Sequence, residues 1–321
     1  MTVRAVFLWT WLLVAGPLQS TGDPLAVAKG QFERGDYSSA IATLSSALAE
    51  NPHDARLLHW RSRCYLEQRN YAAAISDGER AVSERPDDSE YHRWLGRGYG
   101  GAAEQAKSFS MARKVRTAFE QAVHSNPSNI AARRDLEEYY LEAPWIVGGD
   151  RGKALEQVNA IAQVDAVAGH LARAACYLDG KRFDEAEAEY RRALDLGPDR
   201  MEPYLEAADF YLKRGEATGL GTVVDEAARV MPSDTRLPYY QGVALIVANR
   251  NLAEADQLLR RYLATVPRRS DLPSHADAHQ WLGRLNERLG NVKTALDEYR
   301  AALALDPDEK SAREAIRRLT R

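Results

Sequence analysis

The chain has 321 residues, with 43 Lys and Arg against 46 Asp and Glu, for a formal charge of −3. That balance excludes a nucleic-acid binder driven by bulk positive charge. Charged residues make up 28% of the chain, Ala, Leu, Glu and Arg are abundant and β-branched runs are few, as helices require.

The first 22 residues stand apart. Arg4 precedes an apolar run from Ala5 to Ala15, followed by Gly16-Pro17 and the small residues Ser20, Thr21 and Gly22. The run is too short to span a bilayer comfortably, and Ser20 and Gly22 suit positions −3 and −1 of a cleavage site. A signal peptide over 1–22 follows, and with it an exported, periplasmic location. The alternative is an uncleaved anchor, in which case the only membrane contact is through this segment.

From residue 23 to residue 307 one spacing recurs. It reads Ala40/Leu44/Ala47/Pro52, Ala74/Gly78/Ala81/Pro86, Ala186/Tyr190/Ala193/Pro198 and Ala295/Tyr299/Ala302/Pro307. Pro52 to Pro86 is 34 residues, and so is Pro198 to Pro232. A fixed period of that size predicts about eight stacked helix–turn–helix units, an all-α solenoid without one large core. The small residues let the second helix of each unit pack closely on the first, and each proline stops it. Tyr65, Tyr99, Tyr140, Tyr177 and Tyr211 are expected to fill the space between units. Cys64 and Cys176 occupy equivalent places in separate units, which predicts small buried fillers and no disulfide.

Three places break the period. The third unit carries extra residues over 100–114. The fourth has Ala143-Pro144-Trp145-Ile146-Val147-Gly148-Gly149-Asp150 where a tight turn belongs, and Ala166 stands where its closing proline would. Asp150 is suited to cap the next helix. Trp145 either packs onto the neighbouring unit with Ile146 or stands on the rim as a partner-binding anchor. The third break, 267–275, is a polar connector. Residues 308–321 form an amphipathic helix, with Ala312, Ala315, Ile316 and Leu319 on one side, suited to cap the open end of a stack.

The fifth unit (Ala174, Tyr177, Gly180, Phe183, Ala186, Tyr190, Ala193, Pro198) and the eighth (Leu282, Gly283, Gly290, Ala295, Tyr299, Ala302, Pro307) carry the small, aromatic and proline positions most fully. In them the chain resembles the tetratricopeptide repeat (TPR) family. The resemblance implies a right-handed superhelix that binds protein or peptide on its concave side and needs no cofactor. The Gly-Gly-Asp turn is also similar to those of some bacterial periplasmic TPR proteins, including subunits associated with solute transporters.

Catalytic and metal chemistry find little support. His275 and His279 are four apart and share a helical face, but no third ligand lies at metal spacing and Ser274 is placed to cap their helix. Gly96-Arg97-Gly98-Tyr99-Gly100-Gly101 resembles a phosphate loop only in composition, and no Gly-x-Ser-x-Gly is present. No catalytic or metal residue is assigned, and the chain is read as a non-enzyme.

The family's groove positions, carried onto this sequence, give a basic set (Arg56, His59, Arg63, Arg93, Arg97, Arg134) and an apolar set (Leu171, Leu178, Leu205, Leu212, Tyr239, Val243, Ile246). The resemblance thus implies a bipartite wall, its arginines taking carboxylates and its apolar stretch taking aliphatic or aromatic groups. The chaperone-type clamp is not matched, because Trp94 and Asp135 occupy clamp places. The leading expectation is an exported scaffold of a bacterial cell envelope that binds an extended peptide or a partner's helix. The alternative is a transporter-linked envelope subunit holding a solute or lipid in an apolar channel between units five and seven. Reversing Arg93 and Arg97 to Glu is expected to weaken binding while leaving helicity and melting temperature nearly unchanged.

Overall fold

The computed structural model describes residues 23–321, so the expected signal peptide lies outside the described residues. Those residues form eight helical hairpins and one closing helix. The hairpins are α1 (Pro24–Glu33) with α2 (Tyr37–Glu50), α3 (Ala55–Glu67) with α4 (Tyr71–Glu84), α5 (Ser89–Ala106) with α6 (Phe109–Ser125), and α7 (Ile130–Glu142) with α8 (Arg151–Val164). They continue as α9 (Ala166–Asp179) with α10 (Phe183–Leu196), α11 (Met201–Arg214) with α12 (Ala217–Val230), α13 (Leu237–Val247) with α14 (Leu252–Thr265), and α15 (His275–Arg288) with α16 (Val292–Leu305). The expected capping helix is α17 (Lys310–Leu319), which lays Ala312 and Ala315 against the last hairpin.

Local chemistry explains the punctuation. Asp36, Asp54, Asn70, Asp88, Asn129 and Asp165 each turn a side-chain oxygen onto an otherwise unpaired N–H in the first turn of the helix that follows. Pro52, Pro86, Pro127, Pro198, Pro232 and Pro307 each stand two residues beyond the second helix of a unit. Units are locked to one another by tyrosines. Tyr99, Tyr140 and Tyr211, on first helices, donate to Glu79, Glu120 and Glu187 on the second helix of the preceding unit, at 2.6, 2.8 and 2.9 Å.

First helices touch the first helices of the next unit all along the stack, from α1 on α3 to α15 on α17. Among the described residues no two second helices pack backbone to backbone, and they meet through long side chains, as in Arg260 on Glu298 at 3.1 Å. The first helices therefore take the tight inside of the curve, and their exposed faces form the inner wall of a superhelix. The apolar core is a string of clusters between hairpins, the largest running from Val167 to Leu285.

The three breaks resolve differently. The extra residues of the third unit are not a loop: they lengthen α5 to 18 residues and α6 to 17, with Lys107 alone in the left-handed region between them. Ala102, Ala103, Glu104, Gln105 and Ala106 are good helix formers, so the insertion extends the hairpin by about a turn on each side. In the fourth unit Trp145–Val147 is a short 3-10 turn. Val147 packs inward at 2% exposure and its carbonyl accepts from Tyr139 Oη at 2.8 Å, while Trp145 stands 84% exposed. Asp150 caps α8 as expected, accepting from Gly152 N and Lys153 N. Where the proline is missing there is no linker, and Asp165 ends α8 and caps α9 at once. Its second oxygen takes Arg200 Nη1 at 2.7 Å.

The third break carries the longest-range contacts in the fold. After α14 the connector folds back over the first two hairpins: Tyr37 Oη donates to the Arg268 carbonyl, Arg269 pairs with Glu33, and Ser270 bonds Glu67.

Candidate functional site

The concave wall is made by side chains of the first helices. On α3, α5 and α7 it is a network of arginines and carboxylates. Asp135 on α7 is 7% exposed and receives Arg97 in a fork, Nε at 2.9 Å and Nη2 at 2.8 Å, together with Arg93 Nη1 at 3.1 Å. Arg93 Nε also reaches Glu90 at 3.1 Å, and Glu90 takes Trp94 Nε1 and Asn129 Nδ2 besides. Arg134 Nη2 crosses from α7 to Glu206 on α11 at 3.1 Å, passing over α9. Three of the six expected groove cations are thus neutralised within the wall.

Two others are placed differently again. Arg56 lies at the start of α3, mostly exposed, and pairs with its own cap Asp54 at 2.8 Å. His59 is a correction. It is 7% exposed, stacked on Tyr91 at 4.7 Å, and burial pushes its pKa down to about 3, so it is a neutral core ring and offers no charge.

Arg63 is the exception. Its guanidinium lies 4.0 Å from the Trp60 ring centroid, 4.2 Å from Trp94 and 5.0 Å from Phe32. Phe32, Trp60 and Trp94 come from α1, α3 and α5, so the stack runs along three consecutive first helices of the inner wall. Among the described residues Arg63 has no carboxylate within pairing distance, and its Nε is buried without an acceptor. Burial lowers its pKa, and the neighbouring Arg93 charge adds to that. A desolvated cation with unspent N–H groups is costly, and cation–π attraction offsets only part of the cost.

The apolar half of the expected wall is corrected outright. Val243 and Ile246 are 0% exposed, and Leu171, Tyr239 and Leu205 are also buried in the main core cluster. Leu178 and Leu212 are half-buried and pack against it. Tyr239, Val243 and Ile246 lie on one stripe of α13, and that stripe faces α14 and the next unit, with Tyr239 packed on Tyr262. Five of the seven side chains are thus buried in the core and the other two pack against it.

The sequence reading also missed a buried carboxyl behind the wall. Glu137 is 2% exposed, takes Cys176 Sγ at 3.8 Å, and has Arg134 Nε 3.9 Å away. Burial pushes its pKa up to about 7, with Arg134 opposing. A folded pKa above the unfolded value means that the folded state holds the proton between roughly pH 4.5 and 7, so stability falls as pH rises through that window. Glu137→Gln is therefore expected to flatten the dependence of Tm on pH between 5 and 8 and to stabilise the protein by about 1–2 kcal/mol at pH 8. Parallel melting curves for the two proteins would contradict the buried carboxyl.

Cys64 and Cys176 are free, and burial raises both thiols to about 12, so neither is poised as a nucleophile. The two histidines turn to different partners: His275 Nε2 to the Val266 carbonyl at 2.9 Å, and His279 Nδ1 to Glu298 at 2.7 Å. Among the described residues no group of three His, Cys, Asp or Glu is arranged to hold a metal ion, and no helix is long and apolar enough to cross a membrane.

Stacked hairpins with a polar concave wall define a helical-repeat solenoid. Sequence models of the tetratricopeptide repeat match residues 31–97, 167–231 and 247–310, more than half of the chain, and the chain belongs to that family. A TPR protein from Parabacteroides merdae ATCC 43184 is 14% identical, with a TM-score of 0.52 over 93% of this chain and 98% of its own. The Cut9–Hcn1 hetero-tetramer of the APC/C gives 13% and 0.52, over 93% of this chain and 55% of that one. A thermophilic TPR protein of Thermus thermophilus is 24% identical over 59% of this chain and 97% of its own, with a TM-score of 0.49. These are likenesses of fold. No curated protein matches the chain. Repeats of this family make protein–protein interaction scaffolds and are generally non-catalytic.

Proposed function

We propose that the protein is an exported scaffold of the bacterial cell envelope whose inner wall receives an extended acidic peptide or a partner helix, with Arg63 as its anchoring cation. The observation that carries this reading is the Phe32–Trp60–Arg63–Trp94 stack. It presents a guanidinium within 5.0 Å of three aromatic ring centroids and, among the described residues, without a carboxylate in pairing distance. Such a cation is pre-organised for a carboxylate supplied from outside, and desolvation makes the pairing stronger than on an open surface. Arg93, Arg97 and Arg134 are spent on Asp135, Glu90 and Glu206, so they shape the wall and add little net charge. Export rests on the composition of residues 1–22, and sequencing the N-terminus of the secreted chain checks it, with Asp23 expected first.

Crosslinking capture from an envelope extract tests the wall. Wild type is expected to retain a polypeptide that Arg63→Met loses at least tenfold, while Arg56→Ala, on a mostly exposed pair, still retains it. Equal capture by Arg63→Met, with its Tm intact, would remove Arg63 from the binding surface.

A further inference from the structure

We propose that residues 266–274 are a strap that fastens the seventh hairpin to the first two and controls sideways entry to the inner wall. This rests on the reading of the wall as the binding surface. Among the described residues there is no helix-to-helix contact between the first three helices and α13 to α17, so the connector alone joins the two ends of the superhelical turn. Its contacts are specific. The Tyr37 hydroxyl donates to the Arg268 carbonyl across 231 residues of sequence, and Arg269 pairs with Glu33 across 236. Ser270 gives Glu67 two bonds, from N at 2.9 Å and from Oγ at 2.7 Å. Arg269 also forks onto Asp271, which sets the strap's own bend.

The receiving surface is shaped for it. Gly35 has φ +74°, and a Cβ there would lie 3.2 Å from Pro267 Cβ and 3.7 Å from the Arg268 backbone. The glycine permits the turn and leaves room for the strap to lie on it. Two of the strap's anchors also adjoin the aromatic stack: Glu67 is one helical turn beyond Arg63 on α3, and Glu33 follows Phe32. A fastened strap thus closes the wall beside its unpaired cation.

The fastening is weak by construction. It consists of polar contacts at the surface, and next to them a cleft of about 930 Å³, lined by residues such as Arg34, Tyr37, Arg69, Arg268 and Asp306, keeps the two ends from forming a dry interface. The Arg269–Glu33 pair is half-exposed, at 19% and 56%, and surface pairs of this kind contribute little each and are screened by salt. The strap is therefore poised to open and close.

Two variants test this. Arg269→Glu places like charge against Glu33 and Asp271, and is expected to raise the radius of gyration measured by X-ray scattering. Gly35→Cys with Pro267→Cys sets two Cβ atoms about 3.2 Å apart, slightly inside the roughly 3.5–4.5 Å that a disulfide spans, so oxidation staples the strap shut, and the reduced form carries the same strain at φ +74° and serves as the control. The binding probes are an acetylated ten-glutamate peptide and the same segment inserted between two folded domains, whose blocked ends prevent threading. The blocked probe is expected to associate at least tenfold more slowly with the oxidised double variant than with its reduced form, while the free peptide reaches both. Equal rates for the blocked probe, or an unchanged radius of gyration in Arg269→Glu, would overturn the strap. Failure of both probes to bind reduced protein and wild type would count against the wall as a binding surface, and the scattering result would still decide the strap.

Discussion

Asp135→Ala is expected to cost about 3–5 kcal/mol of stability, enough to unfold a large fraction of the protein or to lower its Tm steeply. Asp135 is the shared partner of Arg93 and Arg97, and Arg93 keeps a side-chain exposure of only 11%. Removing the carboxylate leaves a guanidinium with little water and only Glu90 to answer it, and that orphaned charge dominates the cost. Asp135→Asn should fall between, because it keeps the shape and one acceptor while losing the charge. Urea unfolding of both variants measures the effect, and a loss under about 1 kcal/mol for the Ala variant would show that water reaches the cluster freely. The same geometry corrects the expectation that reversing Arg93 and Arg97 leaves the fold untouched. Glutamates at those places would confront Asp135 directly, so that double reversal probes stability before it probes binding.

Gly169→Val is expected to cost about 3 kcal/mol, through steric overlap. Gly169 lies in the first turn of α9, and a Cβ there would sit 2.5 Å from Ala162 Cβ and 2.6 Å from its Cα on α8. Main chain cannot swing aside as the end of a long side chain can. With Asp165 serving both helices there is no linker to absorb the displacement either, so α8 and α9 must separate. Gly221→Ala is the matched control, since a Cβ at Gly221 meets nothing within 4 Å. Its removal of a helical glycine should stabilise by roughly 0.5–1 kcal/mol. Thermal melts of the two variants should move in opposite directions.

The architecture was legible because it is written locally. Alanine spacing, the prolines two residues past each second helix and the capping Asp and Asn residues all act within one unit, and eight hairpins with a closing helix follow from them. The site was legible only by position. The family's groove positions picked out Arg63, Arg93, Arg97 and Arg134, but not who neutralises whom, because Asp135 lies about 40 residues from Arg93 and Arg97 and Glu206 lies 72 from Arg134. The apolar set failed for a different reason. Six aliphatic residues and one tyrosine fit a lined channel and a packed core equally well in pattern, and only the packing of α9, α11 and α13 against their neighbours decides between them. A signal for the stack did exist: Phe32, Trp60 and Trp94 recur about one unit apart, which places them over one another on successive first helices.

Nearly every contact in this chain is made between residues less than two hairpins apart, so the loops that must be closed to form it are short and their entropic cost is small. The bonds from 266–274 to residues 33–67 are the opposite, with more than two hundred residues enclosed. In a nascent chain they have no partner until the seventh hairpin has been made and stacked. The clasp therefore closes only after the first seven hairpins are stacked and, with so little apolar area behind it, is the first to be lost on the way out.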